Sequence, residues 1–225
     1  MNRPTPSDPR RLVKSASLAL VATAAGAAAL GVAAWLLDRR SPDLPVGDFF
    51  RDLSSTGNVP PLTGAASQLG LALWAAAAAV AGYNALRHAR LGGRPAVARF
   101  LAATGVLSAA LLLDDMFLVH EELAYPAVGL GERSVLGLFV LAAAALFVVY
   151  RRFILSGPAL PVLLTACVCF AVMLGVDRVQ EQISNQNLRY LLEDGMKFFG
   201  IVAWLTWVVL TCLRLDQPPP DADPR

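Results

Sequence analysis

The chain of 225 residues is too apolar and too sparsely charged for an ordinary soluble domain. Hydrophobic residues make up 56% of it, charged residues 16%, and the mean hydropathy is +0.54, whereas soluble domains are about 25% charged. The formal net charge of +2 gives no reason to expect nucleic acid or another polyanion as a partner. Three cysteines without a CxxC pair make disulfides and a thiolate metal site improbable. Composition therefore predicts an all-α, polytopic membrane helix bundle whose main partner is the lipid bilayer.

Six apolar runs approach or exceed the roughly 20 helical residues that cross a bilayer. In chain order, the predicted transmembrane spans are about 16–37, 66–86, 98–119, 134–154, 159–176 and 196–213. They form one predicted domain over residues 13–215, between disordered cytoplasmic ends at 1–12 and 216–225. A cleaved signal peptide is the competing interpretation of the first run. Its apolar core would be about 7–15 residues, so a retained helix is the better prediction.

The distribution of basic residues predicts how the bundle is oriented. Six spans place both termini on one side, and 12 of the 19 Lys and Arg residues fall at the termini or in the loops after the second and fourth spans. Because cytoplasmic loops carry the excess of Lys and Arg, both termini are predicted to be cytoplasmic, in the cell inner (plasma) membrane. The ends of the third and fifth spans and the start of the sixth then share the extracytoplasmic face.

The end of the third span carries the strongest functional signal. Asp114, Asp115, His120, Glu121 and Glu122 lie within nine residues there. At about 100° per residue, Asp114 and Glu121 are about 20° apart, as are Asp115 and Glu122, so a continuous helix would carry four carboxylates on one edge. His120 falls outside this sector unless the helix frays. Since an ionisable group in the bilayer costs at least about 2.5 kcal/mol, the cluster predicts a functional site.

The neighbouring spans add polar residues at the same predicted face. These further candidates are Ser67, Asp177, Glu181, Glu193, Asp194 and Lys197. Glu193 and Lys197 have the order and spacing of a helical ion pair. So many carboxylates cannot all stay ionised in a low dielectric, so either some hold a proton or cations neutralise them.

Two functional alternatives follow from this cluster. The first is a divalent metal ion, because carboxylates with one imidazole suit Mn, Fe, Ca or Mg. The predicted metal ligands are Asp114, Asp115, His120, Glu121, Glu122, Asp177, Glu181 and Asp194. A metal-dependent reaction on a lipid-like or small substrate would then use His120 or Glu121 as its acid/base group. The second is an ion- or proton-coupled membrane protein, or a non-catalytic subunit of a membrane complex, although coupling sites usually lie at the bilayer midplane.

Other polar and aromatic residues have ordinary explanations. His88 belongs to a basic loop and is predicted to lie on the surface. The tryptophans, Trp74 and Trp204 among them, are predicted to be interface or packing aromatics. The alanine run from Ala75 to Ala79 predicts close approach of a neighbouring helix.

Two motifs resemble those of an uncharacterised family of bacterial multi-pass membrane proteins. The segment from Leu112 to Glu121 is similar to its LLLDDxFxxHE motif, and the segment from Glu193 to Ile201 is similar to EDGxKFxGI. The similarity covers most of residues 60–205. It implies a multi-pass membrane fold and supports the site residues, but it implies no particular reaction.

Overall fold

The computed structural model describes residues 57–60, 62–90, 94–179, 184 and 186–217, with four isolated positions between residues 32 and 39. The chain divides into two compact units, Met1–Thr63 and Gly64–Arg225. The second unit contains nearly all of the described residues, and the site lies within it.

The described part of the second unit is entirely helical. Its elements are α1 (Ala65–Arg90), α2 (Pro95–Phe117), a π-helix (Val119–Leu123), α3 (Ala124–Val128), α4 (Glu132–Leu155), α5 (Leu160–Val179) and α6 (Gln186–Asp216). Five of these helices, all except the short α3 and the π-helix, are long and apolar enough to cross a membrane. The prediction of a multi-pass helical membrane protein is confirmed at this level. The first predicted span, 16–37, and the terminal segments 1–12 and 218–225 lie outside the described residues.

Close packing of α1 on α2 forms the firmest part of the bundle. Ala77 and Ala81 are completely buried. A Cβ on Gly105 of α2 would lie 3.2 Å from the backbone nitrogen of Gly82 and 3.3 Å from the carbonyl oxygen of Ala78. The two backbones thus approach where their side chains are smallest, which is how helices pack in lipid without a hydrophobic driving force.

Helix α6 packs against both α1 and α5, whereas α4 has few buried residues and packs only lightly on α2. Helix α6 is continuous from Gln186 to Asp216, so it begins ten residues before the predicted start of the sixth span at 196. The residues of α6 before the predicted apolar span include polar and charged ones. Among them, Arg189 and Glu193, four residues apart, form a helical ion pair with Nε and Oε2 at 3.4 Å. At its other end α6 includes Asp216, the first residue of the predicted disordered tail.

Candidate functional site

A break in the backbone at Leu118 shapes the acidic end of α2. Leu118 has φ 50° and ψ 43°, the left-handed conformation that costs a residue with a Cβ roughly 1–2 kcal/mol. Its N–H donates to the carbonyl of Asp114 and closes α2. Beyond it, the N–H of Ala124 reaches back five residues to the carbonyl of Val119, so Val119–Leu123 is a π-helix. Left-handed non-glycine residues and π-helical turns both concentrate at functional sites.

This break brings His120 onto Asp114. Oδ1 of Asp114 accepts the backbone N–H of His120 at 3.0 Å, and Oδ2 lies 2.7 Å from ring Nδ1. Only 5% of the Asp114 side chain and 12% of the His120 side chain are exposed. Residues six apart on a regular helix point about 120° away from each other and could not make this pair of contacts. The carboxylate therefore fixes both the position and the ring orientation of His120.

The predicted edge of four carboxylates is wrong, because it assumed one continuous helix through Glu122. Helix α2 ends at Phe117, so the helical spacing of Asp114 with Glu121, and that of Asp115 with Glu122, is lost. Glu122 is exposed in the π-helix. The side chain of Glu121 lies outside the described part of the structure. What remains on α2 is a pair of adjacent aspartates that face different neighbours.

Asp115 joins three helices. Its Oδ1 lies 2.8 Å from Nζ of Lys197 on α6, and its Oδ2 accepts Nε1–H of Trp74 on α1 at 3.0 Å. The Asp115 side chain is 14% exposed and that of Lys197 is 35% exposed. Sequence spacing predicts that Lys197 pairs with Glu193. Instead, Lys197 reaches across to Asp115 while Glu193 pairs with Arg189, because the partner on the facing helix is the more buried one.

Trp74 is a site residue that sequence patterns alone assign to packing. Its ring stacks on Phe170 with centroids 6.0 Å apart and lies beside Trp204 at 6.1 Å. A buried indole N–H needs an acceptor. Counting outward from the short connection between α1 and α2 places Trp74 within about one turn of Asp115. These two facts together could have predicted the hydrogen bond.

The remaining predicted site residues are spread over the same end of the bundle. Asp177 is half-buried in the last turn of α5, and Asp194 is exposed on α6. Ser67 is exposed in the first turn of α1, seven residues before Trp74, or about 10 Å along the helix axis. Glu181 lies outside the described residues. We call the region where Asp114, Asp115, Asp177, Asp194 and Ser67 lie the Asp114 end of the bundle.

The described residues hold no group of three or more His, Cys, Asp and Glu side chains placed to bind a metal ion. The predicted set of eight ligands includes Glu181 and the side chain of Glu121, which are not described. Within the described set, Asp114 is engaged by His120 and Asp115 by Lys197 and Trp74. These two carboxylates are neutralised or hydrogen-bonded within the protein.

A second polar cluster lies at the opposite end of the bundle, and we call it the Asp216 end. There, the Asp216 carboxylate pairs with Arg87, and its Oδ1 lies 3.1 Å from Nε2 of His88. The prediction that His88 lies on the surface is wrong: it is 6% exposed. The buried face of α1 includes His88, and α6 extends far enough to bring Asp216 against it.

Two further arginines at the Asp216 end bind backbone carbonyls near helix C-termini. Arg94 donates to the carbonyl of Leu215 at 2.8 Å, and Arg214 donates to the carbonyl of Phe153 at 2.6 Å. Cations are stabilised at these positions by the unpaired carbonyls and the negative end of the helix dipole. The two arginine contacts therefore have a structural explanation. His88 Nε2 and Asp216 Oδ1 are 3.1 Å apart, but neither buried atom makes a hydrogen bond within the described residues.

Comparison with known proteins gives one finding about family membership. No curated protein and no solved structure matches the chain. A family model described as "Domain of unknown function (DUF8692)" matches residues 18–211. This range contains α1 to α5, most of α6, and the whole Asp114 end. It also agrees with the predicted membership in an uncharacterised family. The chain belongs to the DUF8692 family.

Proposed function

We propose that the protein is a membrane-embedded enzyme in which the Asp114–His120 pair is the acid/base group. The left-handed Leu118 carries this proposal. A leucine held in a conformation that costs roughly 1–2 kcal/mol, followed by a π-helix, is backbone strain at the end of α2. What the strain accomplishes is the contact between His120 and Asp114. The same end of the bundle is proposed to face the extracytoplasmic side of the inner membrane.

The geometry supports proton transfer through the other ring nitrogen of His120. An ionised Asp114 carboxylate can only accept a hydrogen bond, so Nδ1 would carry the hydrogen of this contact and Nε2 would take up or release the proton in the reaction. The carboxylate would stabilise the imidazolium formed in that step, as an oriented carboxylate does in other acid/base pairs. Burial of the pair strengthens this interaction, because charges interact more strongly away from water. Glu121, also predicted to be catalytic, remains a prediction.

The protonation state of His120 can be tested directly, because the chain has only 2 histidines. Nitrogen-15 NMR of the ¹⁵N-histidine-labelled full chain in detergent micelles, beside a His88→Asn variant, assigns both rings. We expect His120 to be the Nδ1–H tautomer in alkaline solution and to gain a proton on Nε2 when the solution is acidified. An Nε2–H tautomer in alkaline solution, or a ring whose protonation does not change when the solution is acidified, would contradict the proposal. In Asp114→Asn, the preference for the Nδ1–H tautomer should weaken.

A divalent metal ion at this end of the bundle is a second proposal. The contact of Asp114 with Nδ1 of His120 supports it, since metal-binding histidines usually donate their other ring N–H to a carboxylate. Elemental analysis of purified protein, beside an Asp115→Asn/His120→Ala double variant, tests it. A stoichiometric metal that the double variant loses is expected. No metal in either protein, even after incubation with Mn, Fe, Zn and Ca salts, would sink this second proposal and leave the acid/base proposal intact.

The orientation is proposed from the distribution of Lys and Arg residues. A Glu122→Cys variant places a thiol at the exposed π-helix of the Asp114 end. A membrane-impermeant maleimide should label it in intact cells or spheroplasts. Labelling of this thiol only after the membrane is opened would reverse the proposed orientation.

A further inference from the structure

An apolar groove of about 710 Å³ lies between α2 and α4. This volume falls in the range of about 300–1,000 Å³ of small-molecule sites. Ala103, Leu107 and Ala110 line it on α2, and Val135, Ala142 and Val149 are among its lining residues on α4. None of its lining residues is charged. The groove exists because α2 and α4 meet through small side chains and pack only lightly.

The Asp114–His120 pair lies just beyond one end of the groove, whose lining on α2 stops at Ala110. Ala103, Leu107, Ala110 and Asp114 follow one another on α2 at intervals of three or four residues, within a sector about 60° wide. Asp115 points about 100° away from this stripe, toward α1 and α6. The π-helix that carries His120 packs against α4 at the same end. One end of the groove therefore lies next to the Asp114–His120 pair, which is not part of its lining, and Tyr150 at the opposite end is the one described lining residue with a polar group.

We infer that the groove binds an acyl chain of a membrane phospholipid, with the head-group end of that chain beside the Asp114–His120 pair. A groove without charge selects hydrocarbon. The Asp114–His120 pair beyond its Ala110 end attracts the polar part of an amphiphile more strongly than the single hydroxyl of Tyr150 at the other end, which sets the direction of binding. Helices α2 and α4 are both apolar enough to span a membrane, so a lipid can enter sideways between them. The inference rests on the proposed acid/base function and names its substrate class.

Photo-crosslinking in vesicles tests both the occupancy and the direction of binding. The full chain is reconstituted in phosphatidylcholine vesicles that contain a trace of phosphatidylcholine with a diazirine on one acyl chain. A diazirine next to the ester should label residues near Ala110 and Val135. A diazirine at the end of the chain should label residues near Ala103 and Val149. The opposite pattern, or the same pattern with both probes, would overturn the proposed direction.

A matched pair of substitutions on α4 tests whether labelling depends on the groove. Ala142→Phe fills the groove, whereas Ala144→Phe adds the same ring at an exposed position that does not line it. We expect Ala142→Phe to lose most of the labelling and Ala144→Phe to keep it. Equal labelling of both variants, or labelling only of residues outside the groove, would overturn the inference.

The result is independent of the acid/base test, because crosslinking measures occupancy and not turnover. His120→Ala should still be labelled in the groove. An empty groove in the wild type, with His120 still the Nδ1–H tautomer that takes up a second proton, would contradict the lipid inference alone.

Discussion

The two ends of the bundle use the same kinds of residues in different ways. At the Asp216 end, the pairs of Asp216 with Arg87 and His88 join the helices α1 and α6, and the Arg87 side chain is 42% exposed. Arg94 binds from the residue before α2, and α4 departs from helical φ and ψ at Tyr150. At the Asp114 end, both aspartates are largely buried, and one of the two pairs depends on a left-handed leucine followed by a π-helix. Each end also places a histidine against an aspartate.

Backbone conformation, and not the presence of a His–Asp pair, separates the two ends. The His88–Asp216 contact joins two helices that would be regular without it. The Asp114–His120 contact is local, and it forms only because the helix is interrupted at Leu118. Backbone strain that positions one particular side chain is typical of a functional site. The Asp115–Lys197–Trp74 contacts lie between these cases, because they are buried but formed on regular helices.

The largest expected difference concerns the two aspartates that join helices. Asp115→Ala leaves Lys197 and the indole N–H of Trp74 without their acceptor. It should lower the free energy of unfolding by about 2–3 kcal/mol. This is less than the roughly 3–5 kcal/mol for breaking a fully buried ion pair, because Lys197 is partly exposed. Asp216→Ala removes a more exposed pair and should cost about 1 kcal/mol. Unfolding titrations in mixed detergent micelles measure both. Equal losses would mean that the two ends are held together alike.

Replacing Trp74 or Trp204 by phenylalanine compares an indole hydrogen bond to a charged acceptor with one to a neutral acceptor. Trp74→Phe removes the donor to Asp115, and Trp204→Phe removes the donor to the Ser108 hydroxyl at 2.9 Å. Bonds to charged groups contribute about 1.5–3 kcal/mol and neutral ones about 0.5–1.5. Both substitutions remove a similar volume, so the difference between them reflects the hydrogen bond. The free energy of unfolding should therefore fall more in Trp74→Phe. A larger loss for Trp204→Phe in the same titrations would show that packing dominates at Trp74.

The smallest expected effect is the most specific to the break in α2. Leu118→Gly relieves the left-handed conformation of an exposed side chain, so it should change the free energy of unfolding by less than about 1 kcal/mol in either direction. Leu113→Gly, at an exposed position inside α2, should cost about 1 kcal/mol because glycine weakens a regular helix. Similar losses in both variants would argue that Leu118 is not strained in the membrane.

The sequence predicts the five long apolar helices of the described residues because a bilayer forces each apolar run to satisfy its own backbone hydrogen bonds as a helix. It also places the ends of α2 and α5 and the start of α6 together. The break at Leu118 could not be predicted, since leucine rarely adopts the left-handed conformation and no glycine or proline is present there. His88 was misplaced for a different reason, because its burial depends on Asp216, which is remote in the chain. Glu193 lies at the right helical spacing to pair with Lys197, and only the packing of α6 against its neighbours shows that Lys197 pairs with Asp115 instead.

The most direct test of the account is whether His120 changes membrane lipid. The wild-type full chain, His120→Ala and His88→Asn are each reconstituted in vesicles of total membrane lipid from the expression host. Lipid composition over time is then followed by mass spectrometry. The account predicts that the wild type and His88→Asn convert the same lipid class and that His120→Ala leaves it intact. Identical lipid profiles with the wild type and His120→Ala would contradict the claim that the Asp114–His120 pair acts on membrane lipid.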